Sequence, residues 1–581
     1  MGQEWRVMQP QEELIQFLAE ELQFSEQMAA LLVNRDIMTA EAARSFLYDG
    51  MEQLSSPWQL SGVRAAVERI IMAMKAQEQI VIYGDYDVDG ICSVVLLVET
   101  FARLGYRADY YVPNRFSEGY GLNGTAIRRL SAAGYKLIIT VDCGINAVAE
   151  MELARHCGMD IIITDHHQVS TDNWPAAAVI NPQLDELPAV RDLAGAGVAY
   201  KLAQALLEQC QRPLMAESAL ELVGLATIAD IVPLCCENRI LAREGLKCIK
   251  HTKRPGLRAL LRECGLQRQE LRSADVAFQL APRLNSAGRM QNAGLSVRLL
   301  LERDEQNAGI MAMQLCRFNE QRRELQEQIF QQALGQYEQL ATVEDAALVL
   351  ADEAWHEGVS GIVAAQLCQR YNKPAVVIVW EGEYGRGSAR SVAGVDLFQA
   401  LEVCGEWLET YGGHAMAAGL RIRRDQLDGF RRAFNEYIYD LGCPAVKELP
   451  LAELEIDEAT LCAEFMRELQ LLEPFGMGNP EPLLLLRDIK FAHERWMGTE
   501  QQHFKAIIGR PALELIAFHF REKAEKWGIG NRFDVLGHLG NNYFRDKVSL
   551  QFQAVEIRPV IESNIKQREN LAERAAALEE E

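Results

Sequence analysis

The chain has no CxxC pair. Its 13 cysteines are scattered and only Cys235 and Cys236 adjoin, which excludes a zinc ribbon and a disulfide framework and fits small core residues in a reducing compartment. No apolar run approaches the roughly 18 residues that a membrane-spanning helix needs. The opening stretch, MGQEWRVMQPQEEL, lacks a basic region followed by an apolar one. A soluble, cytoplasmic protein with no membrane partner is expected. Basic charge is also short: 59 Lys and Arg stand against 82 Asp and Glu, for a net charge of -23. That balance excludes a protein that coats polyanions over its whole surface, so any nucleic acid must bind in a locally basic groove built by particular arginines and lysines. Internal repeats and low-complexity tracts are absent.

The 581 residues are too many for one core and imply three or four domains. Residues 1–55 carry amphipathic helical patterns (EELIQFLAEELQ, MAALLVNRD, TAEAARSFL), with Asp36 and Thr39 as turn and cap candidates. From about 56 to 250, apolar strands (QIVIYGD, ADYYVP, KLIITVD, DIIITDHH, AAAVINP) alternate with helical stretches, the pattern of a parallel α/β sheet, in a domain expected over 56–299. A long polar helix is expected at 300–345, joining a smaller α/β domain at 346–445. Short strands with turn signals at 446–560 read as a small β-barrel, and 561–581 as a charged tail.

Chemistry concentrates where strands end. In IVIYGDYDVDG, the acids Asp85, Asp87 and Asp89 alternate, and in an extended chain they would share one face and repel each other unless a cation sat there. ITVDCG ends in Asp142 and ITDHHQ in Asp165, His166 and His167; in GLATIADIVPL, Asp230 is an isolated acid in an apolar run. Taken as four strand ends of one sheet, these meet where open α/β sheets bind ligands. Mixed carboxylate and imidazole donors suit Mn²⁺ or Mg²⁺, two ions per site, as in metal-assisted phosphoryl transfer.

In this order DYDVDG, VDCG, DHH and ADIVPL resemble the signature of the DHH phosphoesterase superfamily. Together with APRLNSAGRM, GSARSV, GGHAMAAG and PFGMGNPEP they are similar to its RecJ family of single-stranded-DNA exonucleases, over nearly the whole chain. The resemblance implies Asp87, Asp89, Asp142, His166 and Asp230 as metal ligands, with Asp142 bridging. It implies supporting or substrate-facing roles for Asp85, Asp165 and His167. The smaller α/β domain then resembles a DHH-associated substrate domain, with Ser388 and Arg390 in a Gly-rich loop and Gly412, Gly413 and His414 ahead of a helix. Arg115, Arg289, Ser388 and Arg390 are implied as a 5′-phosphate pocket, with Arg283 as a further candidate.

The barrel resembles an OB-fold, offering Phe491, Trp496, His503, Phe504 and Lys505 to single-stranded DNA. The implied activity is 5′ to 3′ hydrolysis of single-stranded DNA to mononucleotides in recombination and repair, by a monomer working beside a helicase and a single-strand-binding protein. Two alternatives come from the same superfamily: a small-nucleotide phosphodiesterase or pyrophosphatase, which needs no appended barrel, and a silent replication scaffold, which would lack the intact ligand set.

Overall fold

The computed structural model describes residues 5–119, 121–213, 216–267, 270–340, 345–442, 450–509, 512–524, 532–544 and 547–560; the tail expected at 561–581 lies outside them. Two compact units emerge. One joins Met1–Leu54, Pro233–Ile240 and Leu449–Glu581; the other joins Ser55–Val232 and Leu241–Glu448.

The second unit holds two sheets. Its first is β1 (Ile80–Gly84), β2 (Asp109–Tyr111), β3 (Leu137–Val141), β4 (Asp160–Thr164) and β5 (Ala178–Ile180), ordered β2-β1-β3-β4-β5 and parallel throughout. All five residues of β1 and of β3 are buried, because helices cover both faces of a parallel sheet and its strands read as unbroken apolar runs. Strand order reverses direction between β1 and β3, which opens a crevice at their carboxyl ends. The helix after β1 runs Val88–Arg103 and is buried on nearly every side, packing on helices Gly195–Gln209 and Ala216–Ala229.

The second sheet is β6 (Leu348–Asp352), β7 (Ala375–Glu381), β8 (Tyr384–Arg390), β9 (Thr410–His414) and β10 (Ala417–Arg423), ordered β6-β7-β8-β10-β9. Only β6 and β7 are parallel. The helix Glu305–Leu340, 36 residues long, spans about 54 Å at 1.5 Å per residue. Its later turns lend Ile329, Phe330, Ala333 and Leu334 to the core of this second sheet. The spacing of those residues puts them on one helical face.

The first unit pairs three helices, Glu12–Leu22, Glu26–Val33 and Ala40–Tyr48, with a seven-stranded sheet. Ser25 and Thr39 cap the second and third helices by accepting from Met28 and Ala42 N–H. The strands are β11 (Leu454–Ile456), β12 (Leu484–Ile489), β13 (Ala492–Met497), β14 (His503–Ile508), β15 (Leu513–Ala517), β16 (Phe533–Phe544) and β17 (Lys547–Pro559). Their order, β11-β12-β16-β17-β15-β14-β13, leaves β11 and β13 as edges, so the OB-like sheet is not closed into a barrel by hydrogen bonds among the described residues. Leu18, Met28, Phe465, Leu484, Phe504 and Phe552 share one core, so the N-terminal helices and the OB-like strands form one unit.

The segment Pro233–Ile240 is clasped within this unit. Leu234 N–H donates to Met477 carbonyl at 2.7 Å. The Arg239 guanidinium lies 3.9 Å over the Phe46 ring and donates to the carbonyls of Phe46, Leu472 and Leu471. In PFGMGNPEP, a side chain at Gly476 would strike Leu234 at 2.7 Å, and Gly478 holds a left-handed φ of +71° against Pro233. Both glycines are needed for the close approach.

Candidate metal centre and anion pocket

Three carboxyl-terminal strand ends, those of β1, β3 and β4, are neighbours in the first sheet and bring the acids together. The extended alternation expected for Asp85, Asp87 and Asp89 is not what joins them. The strand stops at Gly84, and Asp87 is the N-cap of the next helix, its Oδ1 accepting from Asp89 N–H at 3.0 Å and Gly90 N–H at 3.1 Å. Asp89 sits in the first helical turn. The turn is tight: a Cβ on Gly90 would lie 2.6 Å from the Asp85 backbone.

Asp89 is buried and spends both oxygens on the start of another helix, accepting from Gly195 N–H and Ala196 N–H at 2.7 Å each. That helix end is a natural anion holder. Gly195 has no room for a side chain, since its Cβ would meet Asp142 Cβ at 2.8 Å and Asp89 Oδ2 at 3.0 Å. Asp142 itself holds a left-handed φ of +59°, an unfavourable conformation for most residues that Asp tolerates and that clusters at functional sites.

Asp230 departs from expectation. It follows the helix Ala216–Ala229, its N–H donating to Ala226 carbonyl at 2.9 Å, and does not end a strand of the sheet. The run ALELVGLATIA is apolar apart from Thr227 and the buried Glu221, which pairs with Arg254, because that helix is buried, and such a run carries no clear period to tell helix from strand.

These acids surround one imidazole. His166 Nε2 lies 3.2 Å from Asp142, 3.5 Å from Asp230 and 3.8 Å from Asp89, yet is buried without a hydrogen-bond partner. Asp85 Oδ1 is likewise buried and unpartnered. Donor atoms within 4.8 Å of one another form three groups: Asp142 with His166 and His167, Asp89 with His166 and Asp230, and Asp85 with Asp87 and Asp142. Burial and mutual repulsion raise the carboxyls of Asp85 and Asp142, push Asp89 up to about 7, and push Asp230 up to about 9. A cluster of this kind, short of positive charge and with oxygen and nitrogen donors aimed inward, fits a divalent cation.

The two histidines are driven apart. Burial and the charge of His167 hold His166 at about 4, neutral at ordinary pH. Burial also opposes the charge on His167, but the Asp165 carboxylate, 2.7 Å from Nδ1, outweighs it and raises the ring to about 9. Asp165 also accepts from the N–H groups of Ile145, His166 and His167, and with the charge of His167 these outweigh its burial and hold its carboxyl low.

A basic pocket lies in the same unit. Arg289, on the helix Ala281–Met290, donates to Gly358 carbonyl at 3.2 Å, and burial with the charges of Arg115, Arg322 and Arg390 lowers it to about 10. Arg115 rests over the Tyr86 ring at 5.4 Å. Among the described residues, no carboxylate lies within 4 Å of Arg115, Arg289 or Arg390. Clustered guanidinium groups without counterions make an anion site. Ser388 and Arg390 stand on strand β8 and not in a loop. The glycines of GRGS belong to that strand because Trp380, Ile378 and Leu420 fill the space at Gly385 and Gly387.

The helix Glu357–Tyr371 completes the pocket. Its cap His356 accepts from Gly358 N–H, Ser360 Oγ lies 2.9 Å from Ser388 Oγ, and a Cβ on Gly361 would lie 3.2 Å from Arg390. Sequence reasoning missed His356, Gly358, Ser360 and Gly361, and also Gly195 and Ala196. The signal was present in strand-then-glycine-then-helix at LVLADEAWHEGVSG and in a helix opening AGAGVAY. Gly412, Gly413 and His414 occupy the exposed edge strand β9, which turns back into β10 and not into a helix. His414 is outside the groups of clustered metal donors. Arg283 turns back on its own helix, donating to Gln279 carbonyl at 2.7 Å.

Comparison with known proteins identifies the family. Residues 79–227 match the model of the DHH family N-terminal domain, 344–440 the DHHA1 domain and 452–556 the RecJ OB domain. The chain is 36% identical to the single-stranded-DNA-specific exonuclease RecJ of Bacillus subtilis (strain 168), covering 94% of this chain and 69% of that protein. It is 35% identical to the protein of the same name from Escherichia coli (strain K12), covering 87% and 92%. The crystal structure of RecJ in complex with Mn²⁺ from Thermus thermophilus superposes with a TM-score of 0.83 at 29% identity, covering 96% of this chain and 80% of that one; the same protein has also been solved with Mg²⁺. The chain therefore belongs to the RecJ family of single-stranded-DNA-specific exonucleases, within the metal-dependent DHH phosphoesterases.

Proposed function

We propose that this protein hydrolyses single-stranded DNA from its 5′ end, releasing mononucleotides, in recombination and repair. The observation that carries the reading is the pairing, in one unit, of an acid and imidazole cluster around His166 Nε2 with an arginine pocket that lacks counterions. The relatives named above are single-stranded-DNA-specific exonucleases, and two metal ions per site fit two of the donor groups, Asp89 with His166 and Asp230, and Asp85 with Asp87 and Asp142.

Each part has a task. Arg115, Arg289 and Arg390, with the Ser360 and Ser388 hydroxyls, grip the terminal phosphate. Asp87, Asp89, Asp142, His166 and Asp230 would hold Mn²⁺ or Mg²⁺, which when bound would supply activation of a water molecule and offset charge on the phosphoryl oxygens. Asp85 supports that set. Asp165 keeps His167 protonated at Nδ1, so its imidazolium faces the substrate as a fixed cation. The backbone of Gly195 and Ala196 holds Asp89 in place. Gly412, Gly413 and His414 on β9 support the strand beyond the pocket, and the OB-like sheet supplies further contact to single-stranded DNA. The protein works as a cytoplasmic monomer, on strands that a helicase opens and a single-strand-binding protein keeps open.

Arg390→Ala tests the pocket. Removing a charge-assisted contact to phosphate costs about 1.5–3 kcal/mol, so kcat/KM on a 5′-phosphorylated strand falls about ten- to hundredfold while a 5′-hydroxyl strand is little affected. Equal loss on both substrates contradicts a 5′-phosphate pocket at Arg390.

A further inference from the structure

A second cleft lies on the long helix, outside the metal cluster and the anion pocket. It encloses about 1310 Å³ and is lined by three helical segments of one unit: Phe278 and Arg283 from the turns around Val276–Met290, Asn319 and Arg322 from Glu305–Leu340, and Ile362 and Gln366 from Glu357–Tyr371.

Two features mark it as a built site. First, Arg322 Nε, Asn319 Oδ1 and Gln366 Oε1 are buried polar atoms without a hydrogen-bond partner, and the Arg283 guanidinium lies with them beside Cys316. Buried polar groups are almost always satisfied, so three unmet ones around a single cleft, one cationic donor and two amide acceptors, with a second guanidinium beside them, point to a ligand with both anionic and amide-like edges. Among the described residues, no carboxylate lies within 4 Å of either guanidinium, although Glu324 and Glu327 also line the cleft.

Second, Phe278 is 80% exposed at the cleft, which leaves a ring face open for stacking beside the two guanidinium groups. It is held there by a π-turn over Val276–Leu280 in which Ala281 N–H donates to Val276 carbonyl. Pro282 has no N–H to offer Phe278 carbonyl in the ordinary helical register, which accounts for the widened turn. Such turns recur at functional sites.

The cleft neighbours the anion pocket through shared helices. Arg283 and Arg289 are six residues apart on Ala281–Met290, about 9 Å along the axis. Gln366 stands on the helix that carries Ser360 and Gly361.

We infer that this cleft is a second, mononucleotide-binding site, in which Arg283 and Arg322 take the phosphate, Phe278 stacks on the base and the amides of Asn319 and Gln366 meet the base edge. It rests on the exonuclease reading only for its source of ligand: each turnover produces a nucleoside monophosphate beside the anion pocket, and the adjoining arginines receive it.

The test is binding of thymidine 5′-monophosphate to the full chain with Mn²⁺ present, measured by equilibrium dialysis beside thymidine and inorganic phosphate. Two sites are expected. Phe278→Ala and Arg322→Ala each weaken one of them about ten- to hundredfold, while Arg390→Ala weakens the other. Phe278 is exposed, so its removal leaves folding intact. A single site that only Arg390→Ala disturbs overturns the inference, as does binding of two equivalents that neither Phe278→Ala nor Arg322→Ala changes. Hydrolysis of single-stranded DNA by the same preparations is scored separately: its absence rejects the exonuclease reading without touching the second site.

Discussion

Asp142 concentrates the demands of the site in one residue. It follows β3 directly, holds a left-handed backbone, lies against Gly195 and sits 3.2 Å from His166 Nε2. Any replacement must tolerate that backbone, which makes Asn the informative substitution because it adopts the left-handed region readily. Asp142→Asn keeps shape and removes charge. We expect metal content to drop, and turnover to fall by about three orders of magnitude, the loss of several kcal/mol of charge stabilisation. Thermal stability without metal should hold or rise, because a carboxylate leaves a crowded acidic cluster. Metal analysis, steady-state rates and thermal melts read all three. Near-normal turnover with reduced metal content contradicts the assignment of Asp142.

At the scale of elements, the clasp around Pro233–Ile240 carries a prediction for stability. Arg239 is buried, stacks on Phe46 and donates to three carbonyls. Arg239→Ala strands those acceptors and opens space beside the ring, so the unit should lose about 3 kcal/mol, measured by denaturant unfolding. A change below about 0.5 kcal/mol contradicts the clasp as a support.

Which elements the sequence revealed follows from the same physics. Strand ends at Asp85, Asp142 and Asp165 were legible because short β-rich runs stop at turn residues, and the Thr39 cap because a hydroxyl preceded an amphipathic run. Helix Ala216–Ala229 was not, since burial on all sides erases periodicity and Asp230 then reads as a strand end. GRGS read as a loop because the side chains that fill the glycine positions, Trp380 and Leu420, come from other strands. The helix start at Gly358 and Ser360 was missed as a site because the guanidinium groups that give it meaning lie far away in the chain.

For the whole molecule, the question is how a chain of net charge -23 grips a polyanion. The answer is local: Arg115, Arg289 and Arg390 have no counterions among the described residues, so their field stays available to phosphate while the rest of the surface is acidic. On the function proposed above, a terminal phosphate held in this pocket beside the acid and imidazole cluster fixes which end is cut. The most direct measurement is a time course with Mn²⁺ on one oligonucleotide labelled at the 5′ end or the 3′ end, as a single strand and as a blunt duplex. Early loss of the 5′ label as mononucleotide, late loss of the 3′ label and slow attack on the duplex are expected. Release of the 3′ label first, or equal rates on duplex and single strand, contradicts it.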